Sequence, residues 1–80
     1  MTDNNKRMRQ VLGQVLGLPI DAVTDAAEMD AVEGWDSLKH LRVVLALEEA
    51  FGVSFDEEIA LEITSVPKIR EALADLGVDF

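Results

Sequence analysis

The chain has 80 residues, 16 Asp and Glu against 7 Lys and Arg, a formal charge of −9 and no cysteine. That length fits one domain and leaves little room for both a folding core and an enclosed substrate pocket, which weighs against a self-sufficient enzyme. The acidity excludes the usual routes to nucleic acid and to anionic membrane faces, both carried by Lys and Arg, and the lack of cysteine excludes disulfides and thiolate metal sites.

Hydrophobic residues make up 49% of the chain, more than a disordered acidic segment carries, so one packed domain over residues 1–80 is expected. The start, Met1-Thr2-Asp3-Asn4-Asn5-Lys6-Arg7, is polar and lacks the apolar core of a signal peptide. The longest apolar run, Val43 to Leu47, falls far short of the roughly 20 residues that span a bilayer. A cytoplasmic monomer is the expectation.

In the first segment Met8, Val11, Leu12, Val15 and Leu16 form one apolar stripe at helical spacing. Asp3 or Asn4 can cap this helix, and Gly17-Leu18-Pro19 stops it. Lys6, Arg7 and Arg9 fall on its outer side and read as a solvated face.

Residues 18–36 hold six acids (Asp21, Asp25, Glu28, Asp30, Glu33, Asp36) and no Lys or Arg. The apolar residues Leu18, Ile20, Val23, Met29 and Val32 keep no sustained period, so this stretch reads as a long ordered loop pinned to a core, with a short turn at Asp21–Val23. Loops of that length in small domains are usually functional. Calcium is not supported, because no register supplies the acid, glycine and glutamate spacing of an EF-hand.

A second helix is predicted from Ser37 to Phe51, capped by Asp36 and ended by Gly52. Trp35, one place before the cap, can pack on His40 as a hydrophobic staple. A short third helix covers Glu57 to Glu62, led in by Ser54 or Asp56. The fourth starts near Thr64-Ser65 with Pro67 in its first turn and runs through Ile69, Leu73 and Leu76 to Gly77. The fold class expected is all-α: a small four-helix bundle with three longer helices, one short third helix and the loop between helices 1 and 2.

Stepping about 100° per residue around the second helix gathers Val43, Val44, Leu47 and Phe51 in one core arc. Leu38 and Leu45 project elsewhere, with Leu41 between the two groups and with Arg42, Glu48 and Glu49 around them. A second apolar face rimmed by charge suits docking to another protein. The alternative is that Leu38 or Leu45 packs under the acidic loop. His40 falls on the core side, where a half-buried, hydrogen-bonded histidine is the ordinary expectation.

Ser37, with Asp36 and His40 nearby, invites comparison with a hydrolase nucleophile. The nucleophile elbow needs G-x-S-x-G after a strand; here Lys39 stands two places after the serine and no strand is predicted. A serine exposed at a helix start suits modification by another enzyme instead, since free amides and the helix dipole favour a phosphate there.

Gly34-x-Asp36-Ser37-Leu38, followed by Val43-x-Leu45-Ala46-Leu47-Glu48-Glu49-x-Phe51-Gly52, resembles the acyl carrier protein family. Ser65-Val66 is similar to that family's approach to its last helix. The resemblance implies that Ser37 bears 4′-phosphopantetheine, transferred from coenzyme A by a phosphopantetheinyl transferase that reads Asp36. It implies that the arm holds an acyl group as a thioester, and that Leu38, Lys39, Leu41, Arg42, Leu45, Glu48 and Glu49 meet acyl-loading and acyl-transferring enzymes. In some members the interior between the second and third helices shelters a short acyl chain.

Two departures stand out. Members serving ordinary fatty acid synthesis carry acids along the second helix where this chain has Lys39 and Arg42, which points to a dedicated fatty-acid- or polyketide-type pathway. Trp35 replaces a more usual small residue, as a staple on His40 or as a substrate contact. An aminoacyl or D-alanyl-type carrier is the alternative within the family; such peptide carriers tend to have Gly-Gly-x-Ser or a His before the serine, so Asp36 favours acyl. An unmodified acidic interaction domain is the alternative outside it.

Overall fold

A computed structural model describes residues 3–80, which form four α-helices: α1 (Asn4–Leu16), α2 (Ser37–Phe51), α3 (Glu57–Glu62) and α4 (Val66–Asp75). Each begins at a side chain that accepts an otherwise free amide of the first turn. Asp3, Asp36, Asp56 and Ser65 are those caps, accepting from Lys6, Lys39, Ile59 and Lys68 respectively. Gly17 and Gly52 close α1 and α2 at φ of 71° and 64°, the left-handed conformation that costs a residue without Cβ little. None of the described helices is long and apolar enough to cross a membrane.

The core draws on every part of the chain. Met8 and Leu12 of α1, Val43 and Leu47 of α2, and Val66, Ile69 and Leu73 of α4 are fully buried, with Ile63 joining them from the end of α3. The loop contributes Val23, Ala27 and Trp35. α3 itself has no fully buried residue.

The acidic stretch is ordered, as its apolar residues require. A 3₁₀ turn at Ile20–Ala22 lies one residue earlier than the turn expected at Asp21–Val23. Further on, the chain pairs at a single antiparallel bridge between Glu28 and Ser65: Met29 N–H donates to the Thr64 carbonyl at 2.8 Å and Val66 N–H to the Ala27 carbonyl at 3.1 Å. The loop is thus tied to the α3–α4 connection by backbone bonds that local pattern does not encode.

Two readings of the ends change. α4 stops at Asp75, leaving Leu76 outside as a 46% exposed cap residue, because the amides of Leu76, Gly77 and Val78 turn back onto the Leu73 and Ala74 carbonyls. The cations of α1 are also not a uniformly solvated face. Arg9 Nε donates to the Val23 carbonyl at 2.9 Å and its Nη2 to the Ile20 carbonyl at 3.1 Å, while Arg7 Nη2 donates to the Ala50 carbonyl at 2.7 Å and lies over the Phe51 ring. Carbonyls at the ends of turns and helices lack intrahelical donors, and guanidinium groups supply them. Arg70 does comparable work between segments, bonding Asn5 of α1 and forming an ion pair with Asp25 of the loop at 2.7 Å.

Candidate functional site

Ser37 is the first residue of α2 and is exposed. The turn before it is set by Gly34, at φ of 90°, a value that L side chains rarely adopt. Trp35 then turns inward to only 3% exposure, and Asp36 turns outward to cap the helix. The Asp36 carboxylate accepts the Lys39 amide at 2.8 Å, and its carbonyl accepts the His40 amide at 2.8 Å. Amides earlier in the first turn keep no intrahelical acceptor and point past Ser37, together with the positive end of the helix dipole.

Trp35 and His40 do form the expected staple, and more than packing joins them. The indole Nε1–H donates to His40 Nδ1 at 3.2 Å, with ring centroids 6.1 Å apart and planes 30° from parallel. Because Nδ1 is the acceptor in that bond, the ring proton sits on Nε2, which lies 2.7 Å from the Ala60 carbonyl and donates to it. His40 is 8% exposed with both nitrogens engaged. It is a structural histidine, as its place on the core arc led us to expect.

The other α2 residues divide into two groups. Leu38, Leu41 and Leu45 are 63%, 55% and 56% exposed, so neither Leu38 nor Leu45 packs under the acidic loop. Arg42 and Glu49 are exposed as well, which leaves an apolar face with charge of both signs beside Ser37. Lys39 and Glu48 turn toward the fold. Lys39 is half-buried with Nζ 3.4 Å from the Val15 carbonyl, in the last turn of α1, where a cation meets the negative end of the helix dipole. Glu48 is half-buried and accepts the Phe55 amide at 2.8 Å, holding the segment that leads into α3. The charge that α2 presents beside the leucines is therefore that of Arg42 and Glu49. α3 adds another exposed leucine, Leu61 at 72%, which no periodicity singled out.

This geometry leaves His40 unable to serve Ser37 as a base: one ring nitrogen is engaged by Trp35 and the other by Ala60. It does offer an unobstructed hydroxyl at a helix start, flanked by exposed leucines, where the free amides of the first turn suit a phosphodiester. The residues present fit a phosphopantetheine arm.

The family described as "phosphopantetheine attachment site" matches residues 6–73, and the chain belongs to that family. Its cofactor is covalently bound 4′-phosphopantetheine, and its domain acts as a carrier rather than as a catalyst. Such carriers work with a phosphopantetheinyl transferase and with partner enzymes.

Proposed function

We propose that this chain is an acyl carrier whose 4′-phosphopantetheine arm is attached through Ser37. The observation that carries the assignment is the start of α2, where Asp36, Ser37 and Leu38 follow one another as a capped helix end with the serine outside. When bound, the arm supplies a terminal thiol that holds the cargo as a thioester. The chain's own residues do the rest. Asp36 fixes the helix start and offers its charge to the transferase, and the free first-turn amides favour the phosphodiester. Leu38, Leu41 and Leu45 present an exposed apolar surface on which an enzyme can seat.

Peptide carriers tend to have Gly-Gly-x-Ser or a His before the serine, so Asp36 supports an acyl rather than an aminoacyl or D-alanyl cargo. Arg42 on the exposed face of α2 supports partners other than those of the housekeeping fatty acid synthase, since rim charge acts mainly on encounter rate and partner choice.

Incubation with coenzyme A and a broad phosphopantetheinyl transferase, followed by intact mass measurement, tests the attachment. A gain of one phosphopantetheine that Ser37→Ala abolishes is expected; a gain that survives the substitution moves the attachment elsewhere. Loading of the holo-protein by housekeeping enzymes, compared with loading by acyl and aminoacyl transferring enzymes, tests the pathway. Loading and elongation equal to those of a standard fatty acid carrier would sink the dedicated-pathway reading.

A further inference from the structure

α3 is the least anchored helix of the bundle. It has six residues and buries none of them fully, and two α2 side chains hold it at its two ends: Glu48 at the lead-in amide of Phe55, and His40 at the carbonyl of Ala60. The His40 bond belongs to a longer chain, because the other nitrogen of the same ring is held by the indole of Trp35, two residues before Ser37. A single line of hydrogen bonds thus runs from the loop preceding the attachment serine, through the first turn of α2, to the backbone of α3. Trp35 and His40 are both buried, and every buried side-chain nitrogen and oxygen among the described residues has a partner.

Open space beside α3 lies on its other side. One groove, of about 560 Å³, is lined by Ile59, Leu61, Ile63, Lys68 and Ala72 among others, and another, of about 190 Å³, by Phe55, Ile59, Ala72 and Leu76 among others; no α2 residue lines either. At the α2–α3 seam stands the His40 ring, stacked on Trp35 and bonded to the Ala60 carbonyl.

We infer that the Trp35–His40–Ala60 chain is a latch that holds the α2–α3 seam shut, so that a short acyl group carried on the arm at Ser37 stays outside the bundle. Opening the seam would strip the buried indole N–H and the part-buried Ala60 carbonyl of their partners. The few methylene groups of a short chain do not offset that loss. Trp35 and His40 are positioning residues: they touch neither the arm nor the cargo and act by keeping α3 seated. The cargo half of this inference rests on attachment at Ser37, whereas the latch itself can be read in the unmodified protein.

The test has two arms. In the first, hydrogen exchange is followed in the apo-protein for wild type and His40→Phe, which keeps a ring and removes both bonds. Amides of α3 should exchange about fivefold faster in the variant, the ratio expected for one lost hydrogen bond, while those of α1 and α4 keep their rates. The resonance of the single indole N–H should move upfield. Trp35→Phe, which removes only the donor, should reproduce the α3 effect more weakly. Unchanged α3 exchange in both variants overturns the latch.

In the second arm the holo-protein carries a butanoyl group, and its cleavage by hydroxylamine is compared with that of butanoyl-pantetheine. Rates within about twofold are expected, because protection scales with the buried fraction. Larger protection, with shifts at Leu47, Ala60 and Ile63, overturns the exclusion of cargo. Failure of the transferase to modify the protein defeats the attachment assignment and leaves the first arm to decide the latch.

Discussion

Gly13 lies in the interior of α1, where helix propensity alone favours alanine by about 1 kcal/mol. The structure reverses that expectation. A Cβ built on Gly13 would stand 2.6 Å from the carbonyl oxygen of Leu18 and 3.7 Å from Val23 Cγ2. The closer neighbour is backbone, and it cannot swing aside: the Leu18 amide donates to the Gly13 carbonyl at 2.8 Å, and the Gly17 amide donates to the same oxygen. Relief requires moving the turn that leads into the 18–36 loop, a form of overpacking that costs about 1–3 kcal/mol. That turn's two bonds, worth about 1 kcal/mol each, are then also at risk. Set against the propensity gain, the net loss should be about 1–2 kcal/mol. For a domain of this size that lowers Tm by roughly 4–15 °C. Urea and thermal unfolding of Gly13→Ala, with Gln14→Ala on the exposed side of the same helix as control, measure it. A Gly13→Ala protein as stable as wild type, or more stable, would refute the claim that the Leu18 carbonyl occupies this space.

Asp36 caps α2, and under the proposed function its charge is also what the transferase reads. Asp36→Ala should cost about 1 kcal/mol through the lost cap, whereas Asp36→Asn keeps a capping oxygen and should unfold like wild type; if the charge is what the transferase reads, both substitutions slow modification of Ser37, and full-rate modification of Asp36→Asn would remove that role. Leu45→Asp and Leu38→Asp alter residues already more than half exposed, so stability should stay within about 0.5 kcal/mol while transfer of cargo to a partner enzyme falls; a folding defect instead would mean that these leucines are covered. Arg9→Met retains the apolar stem but leaves the Val23 and Ile20 carbonyls without their charged donor, and chemical denaturation should show a loss of about 1.5–3 kcal/mol. An effect near zero would restore the solvated reading of that residue.

Much of this protein is local and therefore readable from its order of residues. Asp36, Asp56 and Gly52 act on amides or carbonyls within one turn of themselves, so the starts of α2 and α3 and the end of α2 fall where spacing places them. The separation of core arc from exposed leucines on α2 follows from helix periodicity, and Val43 and Leu47 are buried while Leu38 and Leu45 are not. The staple between Trp35 and His40 is likewise a matter of position around a cap. Ser37 was legible for the same reason: a serine after a capping aspartate stands outside whatever the rest of the chain does.

What the sequence could not decide is which partner a long or charged side chain finds across the fold. Arg7, Arg9 and Lys39 read as solvent-facing or partner-facing cations because their acceptors are carbonyls of Ala50, Val23, Ile20 and Val15, whose proximity exists only once the helices have packed. Glu48 looked like a rim charge until the Phe55 amide was placed beside it. The order of the 18–36 loop had no periodic signature because it comes from pairing at Glu28 and Ser65, segments that α2 and α3 separate along the chain. The second bond of His40 has the same origin, since Ala60 comes within reach only when α3 folds back on α2. Helix caps and stripes are settled by neighbours a few bonds away, and so the chain alone determined an all-α carrier domain with Ser37 at a helix start. Tertiary structure alone decided where the cations go, and that Trp35 and His40 tie the loop before Ser37 to α3.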